Sequence, residues 1–192
     1  GWFAAALFLL FGLVGDGPPT YRYAVLFLGP LLGAVYYFRD WLHLHPVGFA
    51  LFAGALLFHN LGAFGAYQEV YFGIRFDTYV HFVFGVVGTA LLARALRFGQ
   101  GLRGWQLWLG TILIMLGLSA VHELIEYAST LMLGPEKGML KINDPDKFDT
   151  HKDLLNNLLG ACLALLCYHF ARRTNDEELR TPSRPTAAGS DR

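Results

Sequence analysis

Apolar runs recur along this chain with short polar, Gly-rich or Pro-rich segments between them. They lie at Trp2–Val14, Tyr21–Phe38, Pro46–Tyr67, Phe76–Leu96, Trp105–Leu133 and His151–Ala171. Most lack the polar face that a helix on a soluble domain keeps toward water. Most also approach the ~20 residues a helix needs to cross a hydrocarbon core of ~30 Å. The pattern predicts an all-α protein, a polytopic transmembrane helical bundle of about six spans. The first run would reach only about 20 Å as a helix, so it is expected to be the truncated remainder of a span that starts before Gly1. Gly15-Asp16-Gly17-Pro18-Pro19 does not supply the small-residue cleavage site of a signal peptide. Turns are expected at Gly15–Thr20, Arg39–His45, Gln68–Arg75 and Arg97–Gly104, with a long polar loop at Gly134–Thr150. After Ala171 the chain turns to Arg172-Arg173-Thr174-Asn175-Asp176-Glu177-Glu178 and a Ser/Pro/Thr/Ala tail. Residues 1–171 therefore read as one transmembrane domain and residues 172–192 as a disordered polar tail with too little apolar surface to fold.

Small residues four apart, Gly29 with Gly33 and Ala50 with Gly54, suit close helix packing in lipid, and Gly85 with Gly88 forms a flat patch for the same purpose. Tyr36, Tyr37, Trp41, Trp105 and Trp108 fall near run ends, where amphipathic rings favour the membrane interface.

Composition strengthens the membrane reading. Charged residues make up 16% of the chain, against ~25% for an average soluble domain. The formal net charge is zero, so no basic field points to nucleic acid; the expected partner is the lipid bilayer itself. Cys162 and Cys167, the only cysteines, point about 140° apart on a helix, so neither a local disulfide nor a shared metal is expected.

Against this background the acids inside the runs stand out. An ionisable group near the hydrocarbon core costs ~2.5–3.5 kcal/mol on the insertion scale and is usually kept for a function. Here Asp77 and His81 open the fourth run, His122, Glu123 and Glu126 lie late in the fifth, and Asp149 and Asp153 open the sixth. Because successive spans alternate direction, all three places share one membrane face, together with His59 and Asn60. Asp77 and His81 are four apart and share a helix face about 40° wide, as do His122 with Glu126 and Asp153 with Asn157. Glu123 lies about 60° from Glu126, whereas His151 projects away from Asp149 and Asp153.

Carboxylates gathered at a depth of roughly 5–10 Å need a cation, shared protons or Lys/Arg partners. The nearest such partners, Arg75 and Lys152, sit at the edges, which favours a metal or protons. Mixed His and carboxylate donors suit Zn, Mn or Fe. His122-Glu123-Leu124-Ile125-Glu126 is similar to the H-E-x-x-H zinc-hydrolase helix with Glu in place of the second His. The expected metal ligands are His81, His122, Glu126 and Asp153. Glu123 is the expected general base, with Asp77 and Asp149 beside it as catalytic candidates. Lipid or a lipid-linked molecule is the expected substrate, processed hydrolytically. Two other classes compete: a proton- or ion-coupled small-solute transporter, and a non-catalytic scaffold held by a polar network.

Three stretches occur in order: Phe76-Asp77-Thr78-Tyr79-Val80-His81-Phe82, His122-Glu123-Leu124-Ile125-Glu126-Tyr127 and Phe148-Asp149-Thr150-His151-Lys152-Asp153. Together they resemble the YjdF-like family of small polytopic bacterial membrane proteins and, more distantly, VanZ-like proteins, whose last span begins with an Asp-rich stretch leading to Asn and Gly. The resemblance covers most of residues 20–171. It implies a multi-pass protein of the bacterial inner membrane and no particular activity. His151 stands where that resemblance would place Gln.

Overall fold

The computed structural model describes residues 19–134 and 148–178, and in addition Ala6, Leu10 and Val14. The chain is mostly helical. Helix α1 spans Pro19–Tyr37 and α2 spans Pro46–Asn60. Pro46 suits the first turn of α2 because its missing N–H needs no partner there. His45 caps the same end, its Nδ1 accepting from the Val47 N–H at 3.3 Å.

The run predicted as one span over Pro46–Tyr67 breaks at Asn60. Two short 3₁₀ turns follow, Leu61–Phe64 and Ala66–Gln68, hinged on Gly65 at φ 88°. Gly62 makes this fold-back possible, since a Cβ there would collide with the Tyr67 ring. A hairpin then replaces the expected turn. Its strands β1 (Val70–Tyr71) and β2 (Ile74–Arg75) are antiparallel, with Val70 opposite Arg75 and Tyr71 opposite Ile74. The two loop residues, Phe72 and Gly73, both have left-handed backbones, at φ 55° and 80°. That geometry matches strand twist but disfavours a side chain at Phe72, which is 99% exposed. Replacing Phe72→Gly is expected to relieve about 1 kcal/mol of strain, read as a raised melting midpoint in detergent.

The remainder is three long helices: α3 (Phe76–Gly99), α4 (Gly104–Leu133) and α5 (Asp149–Glu178). Among the described residues, three segments are long and apolar enough to cross a membrane, namely Phe76–Gly99, Gly104–Leu133 and Asp149–Ala171. That is fewer than the six spans expected. Leu28–Tyr37 and Pro46–Asn60 are shorter apolar helices. The expected first run, Trp2–Val14, lies largely outside the described residues. Helix α5 continues past Ala171 to Glu178, and residues 179–192 of the polar tail lie outside the description.

Helices α3 and α5 form the closest pair. A Cβ at Gly85 would collide with the Asn157 carbonyl oxygen, and one at Gly160 with that of Phe82. The two backbones therefore approach across small residues, as helices do where lipid supplies no hydrophobic drive. Among the described residues, Gly88 meets only the flexible Met115 side chain, whereas Gly33 and Gly54, also expected at interfaces, have nothing within 4 Å. Leu32, Phe52 and Leu56 pack α1 and α2 together, with Phe84, Val87 and Leu91 of α3 against them. Ala93, Leu107 and Leu165 join α3, α4 and α5 near their other ends. There Arg94 Nε donates to the His43 carbonyl at 2.5 Å and Arg97 donates to the Tyr168 hydroxyl.

Candidate functional site

The α3–α5 glycine contact sets the site. Asn157 is packed against Gly85, one turn below His81, so the acidic first turns of both helices stand side by side. Asp77, His81 and Asp153 converge, with one donor atom from each lying within 4.8 Å of the others. His81 Nε2 is 3.5 Å from Asp77 Oδ1 and 3.7 Å from Asp153 Oδ2. His81 and Asp153 are buried, at 6% and 4% exposure. A tetrahedral ion with bonds of ~2.1 Å has edges of about 3.4 Å between ligand atoms. The His81–Asp77 and His81–Asp153 separations are within a few tenths of an ångström of that edge, and all three donor atoms lie within 4.8 Å of one another.

A second layer holds the imidazole. Asn157 Nδ2 lies 3.0 Å from His81 Nδ1 and donates to Ser119 Oγ at 2.6 Å, which ties α3, α4 and α5 at one point. Turned by 180°, the same amide would accept from both His81 Nδ1–H and the Ser119 hydroxyl, leaving the Nε2 lone pair for a cation.

The expected α4 residues lie beside this trio. The His122 ring centroid is 5.9 Å from that of His81. His122 Nε2 is 3.3 Å from Glu126 Oε1, so these two expected ligands pair with each other. Glu123 is 7% exposed, and its Oε1 has no hydrogen-bond partner among the described residues. Asp149 takes a different partner: Arg75 Nη1 reaches its Oδ1 at 2.9 Å. The basic residue judged to lie only at the edge thus neutralises one of the acids. His151 is exposed, in keeping with its projection. Ser119 has no signal in the sequence, because a lone Ser in an apolar helix reads as packing. On α2, Asn60 is 1% exposed and both its side-chain polar atoms lack hydrogen-bond partners among the described residues.

His59, His81, Ser119, His122 and Asn157 form the polar wall of an otherwise apolar cavity of about 450 Å³ between α1, α2, α3, α4 and α5. The molecule is thus a helical membrane protein with a buried acid–imidazole cluster beside a cavity. It belongs to the family described as Predicted membrane protein (DUF2238), which matches residues 2–174. Comparison with curated proteins and with solved structures returns no match.

Proposed function

We propose that Asp77, His81 and Asp153 hold a divalent cation, Zn, Mn or Fe, in a multi-pass protein of the bacterial inner membrane. We further propose that the site hydrolyses a lipid or lipid-linked ester. One observation carries the reading: donor atoms of partly buried Asp77 and of buried His81 and Asp153, on two helices, lie within 4.8 Å of one another. Their chemistry, one imidazole and two carboxylates, suits these metals.

The ion would supply electrophilic activation of water and of the substrate oxygen. Glu123, next in sequence to His122 and carrying an unpartnered buried oxygen, is the general base. It takes a proton from water as the water oxygen attacks the ester carbonyl or phosphorus. The same proton then passes to the departing alcohol, so one water and one ester give one acid and one alcohol. His122 and Glu126 would face the substrate as an adjacent pair, and Asp149 would fix the helix ends through Arg75.

A second reading has its own observation. The chain His81–Asn157–Ser119 is a satisfied network across three helices, which suits a scaffold without any ion. Metal content separates the two. Purified parent protein is expected to carry near-stoichiometric metal by plasma mass spectrometry, and a folded His81→Ala/Asp153→Ala variant none. Asn157→Leu is expected to weaken metal affinity by roughly 10–100-fold, while Asn157→Asp, which can still accept from Nδ1–H, retains it. Metal-free parent protein that remains folded would leave only the network.

A further inference from the structure

The cavity has a length, a direction and an opening. Its lining on α3 runs from Val80 and His81 to Leu91 and Leu92, which at 1.5 Å per residue is about 18 Å. A volume of about 450 Å³ over that length gives a mean cross-section of about 25 Å². That is the width of one hydrocarbon chain, whose non-bonded carbon contacts lie at ~3.5–4.0 Å. At about 1.3 Å per methylene, 18 Å corresponds to a chain of roughly 14 carbons.

The ends differ chemically. At one end His81, His122, Ser119 and Asn157 present polar atoms; at the other Leu42, Leu44, Leu91 and Leu92 close the space. Between them Leu31 of α1 and Leu118, Val121 and Ile125 of α4 line the cavity and are also exposed, with Leu31 at 44% and Leu118 at 54%. Apolar residues that are both lining and exposed mark a lateral mouth toward the bilayer between α1 and α4. The polar end lies at the start of α3, near one membrane face, and the apolar end runs toward the opposite face. A lipid of the leaflet at the polar end has the same layout, its head near the surface and its chain pointing to the midplane.

We infer that this cavity takes one alkyl chain of a bilayer lipid, entering between α1 and α4, with its polar linkage at His81 and His122 and its terminus at Leu42 and Leu44. The inference rests on the lipid reading of the site proposed above and names its substrate class, a lipid that inserts a single chain of about 14 carbons. Gly88 sits midway along the wall, where a side chain would enter the space shared with Met115.

The test uses the full chain in nanodiscs and alkyl alcohols that carry a terminal photoreactive diazirine. A tetradecyl probe is expected to label the segment around Leu42–Leu44 or Leu91–Leu92, mapped by peptide mass spectrometry. Gly88→Leu is expected to reduce this labelling by roughly tenfold. Leu44→Trp, which narrows only the far end outside the helices, is expected to reduce tetradecyl labelling and spare that by an octyl probe. Equal labelling of outward residues such as Leu113 and Leu124, unchanged in both variants, would overturn the inference. So would cross-links from residues 2–14 into the cavity, which would make the chain's own first segment its occupant. Metal content measured on the same samples keeps the two proposals apart: labelled protein without metal supports the channel and removes the metal site, and metal-loaded protein without label does the reverse.

Discussion

Gly160→Ala, which adds one methyl group, is expected to destabilise the protein by about 3 kcal/mol and to dismantle the acid–imidazole cluster. In a helix interior Ala is ordinarily better than Gly by ~1 kcal/mol, so an exposed site would be stabilised. Here the new Cβ meets backbone rather than a movable side chain: the Phe82 carbonyl oxygen, with the Val86 nitrogen beside it. Backbone inside a helix cannot yield without the whole helix shifting, and overpacking outweighs propensity. Gly85→Ala meets the Asn157 carbonyl in the same way and is expected to act alike. Helices α3 and α5 would move apart at the level of Asn157, and the 3.5 and 3.7 Å contacts of His81 with Asp77 and Asp153 would lengthen. Gly117→Ala is the control, since nothing among the described residues lies within 4 Å of a Cβ there. Melting midpoints of the three variants in one detergent check the ranking. Equal midpoints for Gly160→Ala and Gly117→Ala would mean that the interface is looser than its geometry.

Much of the site is legible in the order and spacing of residues, for definite reasons. Asp77 and His81 are one turn apart, and alternation of direction alone places the first turns of the fourth and sixth runs on the same face. An apolar run has no polar face, however, so its rotation about its own axis leaves no trace in the pattern. That is why the pattern shows neither that Glu126, an expected ligand, lies beside His122 nor that Asp77, an expected catalytic candidate, lies with His81 and Asp153. The Arg75–Asp149 pair is hidden for another reason. It depends on a hairpin whose loop, Phe72-Gly73, is not a common turn pair, so the arginine looks like an edge residue. Glycine spacing is ambiguous in itself: Gly85 and Gly160 hold an interface, and Gly33 and Gly54 have no close neighbour among the described residues. Run length also differs from helix length for the same kind of reason, because Gly62 and Gly65 break the Pro46–Tyr67 run without lowering its apolar content.

If the proposed cation is bound, stripping it with a chelator is expected to lower the melting midpoint by roughly 10 °C. A ligand present at a thousand times its Kd stabilises the folded state by about 4 kcal/mol, and a chain of this size shifts by about 2–4 °C for each kcal/mol. Charge balance explains why the effect should be large. Asp77 and Asp153 bring two negative charges into a site where His81 can offset only one, and Arg75 is engaged with Asp149. A divalent ion with neutral His81 brings the trio to zero; without it either one carboxylate takes up a proton or one buried charge is left uncompensated, and such a charge is costly within a membrane. Asp153→Asn removes that charge and one strong ligand together. Its midpoint is therefore expected to lie nearer the chelated parent than the loaded one, and to move little when chelator is added. Asp77→Asn is expected to behave in the same way from the α3 side. If the parent melts at the same temperature with and without chelator, and both Asn variants match it, the cluster holds its helices together by hydrogen bonds alone. In that case the His81–Asn157–Ser119 network carries the register of α3, α4 and α5.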